Sequence, residues 1–336
     1  MLKLRRGTVA QAGAANARVQ RLQVDVAGER RAAIADVAMV GASEPGDEVV
    51  VNVEARDLAL GSGGFDIVHC NLTHGLAGEG AAGAHVMKLN YTSLQHAVLP
   101  VEGEELGSPL SGPAAVFGLH GQLAPLAWAF GRAAPGCSLG YVQTAGGALP
   151  GSLSDVVREL RERDLLAGHL TAGPAYGGEA EAITTPGAIH HGLVDRGWDA
   201  VAVGPGPGIL GSGSVLGHGG LFALDSAHAA LALGCPTLLV ARMSDGDLRP
   251  RHRGVSHHTR TVLDLLLRPV VVALPEGTAH DLPGKHRLEH ASADLEGYRA
   301  SGLPATTMGR DLDQDRAFFA AALAAGVALA GMRAPS

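Results

Sequence analysis

Two rhythms of apolar positions divide the chain. In residues 1–74 apolar and polar side chains alternate over short stretches, the period of a strand with one buried face. Residues 17–26 alternate in this way, Ala27-Gly28-Glu29 makes a turn, and 31–40 form a second stretch. Glu44-Pro45-Gly46-Asp47 turns the chain again before 48–54 (EVVVNVE), which is rich in β-branched side chains, and 64–72 adds another run. Short strands between Gly/Pro turns at this spacing predict a small β-barrel. Residues 75–83 (GLAGEGAAG) read as a loop and 85–101 as an extended stretch that returns to the barrel.

From Ala114 onward, short apolar runs alternate with helical periods. Strands are predicted at 114–119, 139–143, 168–172, 199–203, 237–242 and 269–273. Helices are predicted at 121–133, 152–163, 179–196, 219–233 and 257–267, with a last one at 314–332. Pro186 falls inside the third helix and either breaks it or delays its start. Ser152, the Ser154-Asp155 pair and Ser256 stand where N-caps are wanted. Five strand–helix alternations predict an α/β fold with a doubly wound, largely parallel sheet. The domains then read as 1–101, a small β-rich barrel-like domain; 102–113, a linker with two prolines and three glycines; and 114–336, the doubly wound α/β domain.

Composition narrows the function. The 336 residues are 46% hydrophobic and 18% charged, which suits a folded chain and argues against disorder. The net charge of −7 offers no overall basic footprint for nucleic acid. The apolar runs 263–274 and 320–332 are short of the roughly 20 residues a membrane helix needs, and Arg268 interrupts the first. The start has early positive charge but no apolar core behind it, so no secretory signal is read there. Cys70, Cys137 and Cys235 lie far apart and form no C-x-x-C, which suits a reducing, cytoplasmic setting. Arginine outnumbers lysine heavily, as it does in GC-rich genomes, so its abundance alone carries no weight. The 16 histidines, many of them clustered in loops, carry more.

In open α/β sheets ligands sit beyond the carboxyl ends of the strands, so the post-strand loops are the places to search. The loop 204–220 contains Gly206-x-Gly208-x-x-Gly211, and His218 stands between two glycines. The spacing matches a dinucleotide fingerprint, but Pro205 and Pro207 remove amide donors and later glycines delay the helix. The segment 243–259 reads MSDGDLRPRHRGVSHHT. With Arg242 before it, it gathers Arg251, His252, Ser256, His257 and His258 around a helix start, where free amides and guanidinium groups attract an anion. His257 or His258 would move a proton; the bland alternative is a solvated basic loop. A metal stays open: adjacent His257 and His258 point apart on a helix and no H-E-x-x-H pairing exists, but His252 with one of them and a distant carboxylate would make a ligand set. Gly177 and Gly178 let the chain turn, and Glu179 would open a helix at a strand's carboxyl end, as an acid–base group or as plain dipole compensation. Thr144 would hydrogen-bond a ligand, Asp155 would partner the histidines or cap its helix, and His120 is within reach of the same rim.

Several stretches resemble a bacterial family catalogued as domain of unknown function 3866. They are 45–47, 58–65 (LALGSGGF), 89–100 (LNYTSLQHAVLP), 120–123, 148–155, 176–181, 204–217, 251–259 (RHRGVSHHT) and 308–319. RHRGVSHHT is the most specific of them. The resemblance implies a bacterial, cytosolic protein and brings no activity. It would also place an acid after Thr144, where this chain has Ala145.

Three functions fit these residues. The first is an enzyme performing hydrolysis or group transfer on a small anionic metabolite, held by Arg242, Arg251, Ser256 and the glycine loop. The second is an NADP-dependent oxidoreductase, with Arg242 meeting the 2′-phosphate. The third is a non-catalytic binding or scaffold protein. The cofactor is unknown, and a homo-oligomer stays open.

Overall fold

The computed structural model describes residues 1–15, 18–60, 64–278, 282 and 284–333. Ala17, where the first alternating stretch begins, and 61–63 within LALGSGGF lie outside them. The chain divides into two units, Met1–Leu99 and Pro100–Ser336.

In the first unit the alternating stretches close on themselves. Strands β1 (Leu4–Ala12), β2 (Val19–Val26), β3 (Glu29–Asp36), β4 (Glu48–Asn52) and β5 (Asp66–Asn71) form a closed barrel in the order β1-β2-β3-β5-β4. Every pairing is antiparallel except β3 with β5. Val9, Leu22, Val24, Val49, Val51 and Val68 fill the interior. The predicted strands 31–40 and 48–54 are shorter than their apolar runs. One ends in the helical turn α1 (Val37–Val40), capped by Asp36, and the other in α2 (Glu54–Asp57). Arg31 is buried and donates to Asp66 at 2.6 and 3.0 Å and to Asp57 at 2.7 Å. The stretch 85–101 does not rejoin the barrel. Strands β6 (Val86–Lys88) and β7 (His96–Val98) pair only with each other, because Leu89 and Tyr91 adopt left-handed φ and reverse the chain.

The second unit is an eight-stranded sheet in which every pairing is parallel. Its strands are β8 (Ala114–Val116), β9 (Leu139–Thr144), β10 (Gly168–Ala172), β11 (Ala180–Ala182), β12 (Ala200–Pro205), β13 (Thr237–Val240), β16 (Val271–Pro275) and β17 (Arg287–Ala291). They run in the order β11-β10-β9-β12-β8-β13-β16-β17. The pair β14 (Met243–Ser244) and β15 (Gly254–Val255) forms a separate antiparallel hairpin, as does β18 (Thr306–Thr307) with β19 (Arg310–Asp311). Helices α3 (Leu123–Ala133), α4 (Asp155–Glu162), α8 (Leu295–Ala300) and α9 (Arg316–Gly331) share one apolar core on one face of the sheet; α5 (Thr185–His190), α6 (Phe222–Ala232) and α7 (His257–Leu265) share the other.

All six predicted strands of this unit are present, and the sheet gains an edge strand on each side. The predicted helix 179–196 is corrected. Residues Ala180–Ala182 pair with β10 as β11, and the helix begins only at Thr185, capped by Thr184 with Pro186 in its first turn. Proline lacks the amide that a first-turn position leaves unused, so it marks a start here and not a break. Residues 102–113 lie along this unit: Glu102 accepts from the amides of Ile183 and Thr184, and Leu110 donates to the Leu233 carbonyl at 2.8 Å.

The topology fixes where a ligand would sit. Strand β8 leaves through α3 on one face, and its neighbour β12 leaves through α6 on the other. Their carboxyl ends therefore part around a crevice, the usual place for a ligand in such a sheet.

Candidate functional site

Glycine contacts draw three post-strand loops to that crevice, and a hairpin brings a fourth. A Cβ on Gly147 would lie 2.2 Å from the Gly206 carbonyl oxygen, one on Gly219 2.0 Å from that of Gly146, and one on Gly118 3.1 Å from that of Gly220. The loops after β8, β9 and β12 thus touch backbone to backbone. The loop after β13 arrives through the β14–β15 hairpin, which turns 245–253 back so that α7 starts beside β13. The Ser256 amide donates to the Arg242 carbonyl, and the Arg242 amide donates to Thr259 Oγ1. Ser256 Oγ caps α7 by accepting from the His258 amide.

Four histidines meet there. His218 and His258 stack with ring centroids 3.6 Å apart, His257 and His258 lie 4.3 Å apart, and His252 is 4.8 Å from His257 and 5.0 Å from His258. His252 Nδ1 contacts Ser256 Oγ at 2.8 Å. Arg242 donates through Nη1 to His258 Nδ1 at 2.8 Å, which places the neutral ring's proton on Nε2. Arg251 donates to the Gly213 carbonyl at 3.1 Å and ties the 204–220 loop to the 251–259 segment. Among the described residues, both ring nitrogens of His218 and Nε2 of His257 are buried without a hydrogen-bond partner. Buried polar atoms are nearly always paired, so three orphans in one cluster mark a place where something else belongs. A small cavity of about 10 Å³ lies beside His258, lined also by Gly118, Leu119, Gly220, Arg242 and Thr259.

The electrostatics lean positive. Arg242, Arg249 and Arg310 share Asp247 Oδ2, at 3.7, 2.8 and 3.5 Å. Arg310 also reaches the fully buried Asp315, which accepts from Ser244. Burial pushes Arg242 down to about 10, with Asp247 opposing and the other arginines adding to it. Burial also pushes the histidines down, and Arg242 adds to it: His252 to about 3 and His258 to about 2. His218 is lowered by burial and by Arg242 and Arg251, against the nearby Val215 backbone, which raises it; His257 is lowered by burial and by His218, Arg251 and Arg242. All four rings are therefore neutral at pH 7 and hold a lone pair each.

These residues sit inside a recognisable family. The family model described as protein of unknown function (DUF3866) matches residues 32–326. The chain belongs to that family. Every stretch that carried the resemblance lies within the matched span, including RHRGVSHHT. No curated protein matches the chain.

In this DUF3866 member, His218, Arg242, Arg251, His252, Ser256, His257 and His258 come together. Thr144 ends β9 beside Pro205 and donates to the Ala145 carbonyl. Gly206, Gly208 and Gly211 lie in the adjoining loop, but not as a phosphate cradle. A Cβ on Gly206 would meet the Ala148 oxygen at 2.5 Å and Gln143 Nε2 at 2.6 Å, so that glycine serves loop packing. Gly211 bridges back to His218, and helical structure opens only at Gly219. Gly177 and Gly178 are tied to β10 and β11 through Glu181 and Thr171. Asp155 is an exposed first-turn acid paired with Arg158. Glu179 stands at the opposite edge of the sheet, because it precedes a strand parallel to β10; it pairs with Arg161 beside Gly168, the first residue of β10.

Sequence reasoning put His120 within reach of the rim and gave Ser154 only a capping role. His120 Nδ1 faces the Pro205 carbonyl at 3.2 Å, so Nδ1 carries the proton and Nε2 accepts from Ser154 Oγ at 2.7 Å. Burial lowers His120 to about 4. Its place directly after β8 was the available signal. Gly220 and Asp247 carried none.

Proposed function

We propose that the chain binds a small anionic metabolite at the carboxyl edge of the parallel sheet and acts on it by acid–base chemistry, as a hydrolase or group transferase. One observation carries this reading: Arg242 is buried with only a share of one carboxylate, beside His218 and His257 with their unpaired ring nitrogens. A phosphate or carboxylate would complete the charge of Arg242 and Arg251 and accept from ring N–H groups. Ser256 and the first amides of α7 face the same anion. His257, neutral and with a bare buried Nε2, is the base; a bound anion raises its proton affinity, so it can return that proton later in the reaction. The glycine loop gives a dinucleotide less support, since Gly206 is occupied by packing and the helix start is displaced.

The test is thermal denaturation with phosphate or sulfate at roughly 10 mM, in parallel with turnover of a panel of phosphate and carboxylate esters. Binding at ~100 times Kd raises stability by about 2.7 kcal/mol, so the wild-type chain should melt later and Arg242→Met should lose the shift. His257→Gln should lower turnover by about 100-fold or more. No shift with either anion in the wild-type chain would end this reading.

A further inference from the structure

The orphan nitrogens have a second property beyond facing an anion. One ring nitrogen from each of His218, His257 and His258 lies within 4.8 Å of the others. His218 is only 7% exposed, and neither of its nitrogens has a partner among the described residues. A Cβ on Gly220 would lie 3.3 Å from Nδ1 of both His218 and His258, so those two atoms face one small space beside a residue without a side chain. The cavity that His258, Gly220 and Arg242 line has room for one water-sized occupant.

We propose that His218, His257 and His258 form a trihistidine site for a divalent transition ion of the zinc class. The ligand chemistry selects the ion. Three imidazoles with no carboxylate suit zinc, cobalt, nickel or copper, whereas magnesium and calcium require oxygen donors. A tetrahedral ion with nitrogens at about 2.0–2.1 Å holds them roughly 3.4 Å apart, so the set closes by a small rotation of the rings. Rings stacked as His218 and His258 are cannot both point a lone pair at one ion, so the stack must open. The Arg242 bond to His258 Nδ1 is the contact that gives way. The ion takes the nitrogen, and the guanidinium is released toward the anion. Three protein ligands leave the fourth position for water or for the anion itself. The proposal rests on the anion reading only in placing both guests in one crevice; with an ion bound, His257 is a ligand and is no longer the base of that reading.

The two are separable by titration of the tag-free chain with cobalt(II) alone, in a buffer free of phosphate. The expected result is one equivalent bound, with the visible bands of a tetrahedral cobalt centre. His218→Ala and His257→Ala should each weaken it by at least about 10-fold, because each removes a ligand where loss of an outer-shell partner already costs 10–100-fold. Gly220→Ala places a methyl between two ligand nitrogens while keeping every histidine, so it answers for the site even if a histidine variant fails to fold. Arg242→Met removes a competitor and a repelling charge, so it should tighten cobalt while weakening phosphate. No uptake at about 1 mM cobalt, or uptake unchanged by both histidine variants and by Gly220→Ala, overturns the metal site. Cobalt uptake without any phosphate shift would instead keep the metal and discard the anion.

Discussion

Two buried arginines set the barrel and the sheet edge apart. Arg31 and Arg242 are 8% and 5% exposed, and each has lost most of its hydration. Arg31 regains it from carboxylates: Asp66 accepts from Nε and Nη2, Asp57 shares Nη2, and Glu29 accepts from Nη1. Its guanidinium is stabilised in the charged form, mainly by Asp66. Arg242 donates to a neutral imidazole and is third in line for Asp247, and burial lowers it. The same residue type in the same degree of burial is architecture in one place and an unsatisfied charge in the other. Desolvating a cation costs several kcal/mol unless its partners return it. Arg242, short of such partners beside a helix N-terminus, is the ground of the proposed anion site.

The comparison breaks most directly by replacing each guanidinium with an unbranched apolar chain. Arg31→Met strands Asp66, itself 1% exposed, and should cost the barrel about 3–5 kcal/mol in denaturant unfolding. Arg242→Met leaves Asp247 with Arg249 and Arg310, so its cost should stay below about 1.5 kcal/mol. Equal costs would show that Arg242 is as fully compensated as Arg31, and the argument for an anion would lose its base.

Acid should separate the two units with opposite sign. His120, His252 and His258 are held below their ordinary value near 6.5. Below that pH the unfolded chain binds protons that the folded one refuses. Stability from these rings is complete above about pH 6.5 and falls as pH drops toward about 4, where His120 is the first to charge, by at most about 1.4 kcal/mol per pH unit per ring. His74 in the barrel is raised by Asp47, so its contribution is complete below its ordinary value and is lost as pH climbs through the raised one. Amide exchange between about pH 7 and 5, corrected for intrinsic rates and free of phosphate, should show protection falling in 100–333 and holding or rising in the barrel. A parallel decline in both would contradict the assignment of neutral rings to the site.

What the sequence shows and what it hides follow from burial. Strands covered on both faces, such as Ala114–Val116 and Ala200–Pro205, are unbroken apolar or small-residue runs and are legible by eye. The edge strand Arg287–Ala291 has one buried residue and reads as a charged loop, and β11 is too short to leave a period. The hairpin β14–β15 is set by two residues on each side, so no pattern announces it. In the site, Ser256, His257 and His258 were legible because they are local to one helix start. The meeting of His218 with His258 depends on where β12 and β13 flank β8, and sequence periodicity carries no record of strand order.

The smallest expected effects test the boundary of the site. Sequence spacing put two acids beside the histidines, and geometry gives neither a path to them. Asp155 is exposed and paired with Arg158, and Glu179 is paired with Arg161 at the amino edge of the sheet. Exposed pairs of this kind contribute about 0–1 kcal/mol. Asp155→Asn and Glu179→Gln should therefore shift unfolding by less than about 1 kcal/mol and leave phosphate affinity within about twofold of wild type. Asp155 is the sharper case, because Ser154 beside it touches His120, which in turn touches the Pro205 carbonyl at the rim of the crevice. If Asp155→Asn weakened phosphate binding tenfold while stability held, the ligand would have to extend past the four histidines to α4. The Ser154–His120 pair would then belong to the binding surface, and the crevice would extend beyond Arg242 and Arg251 to the start of α4.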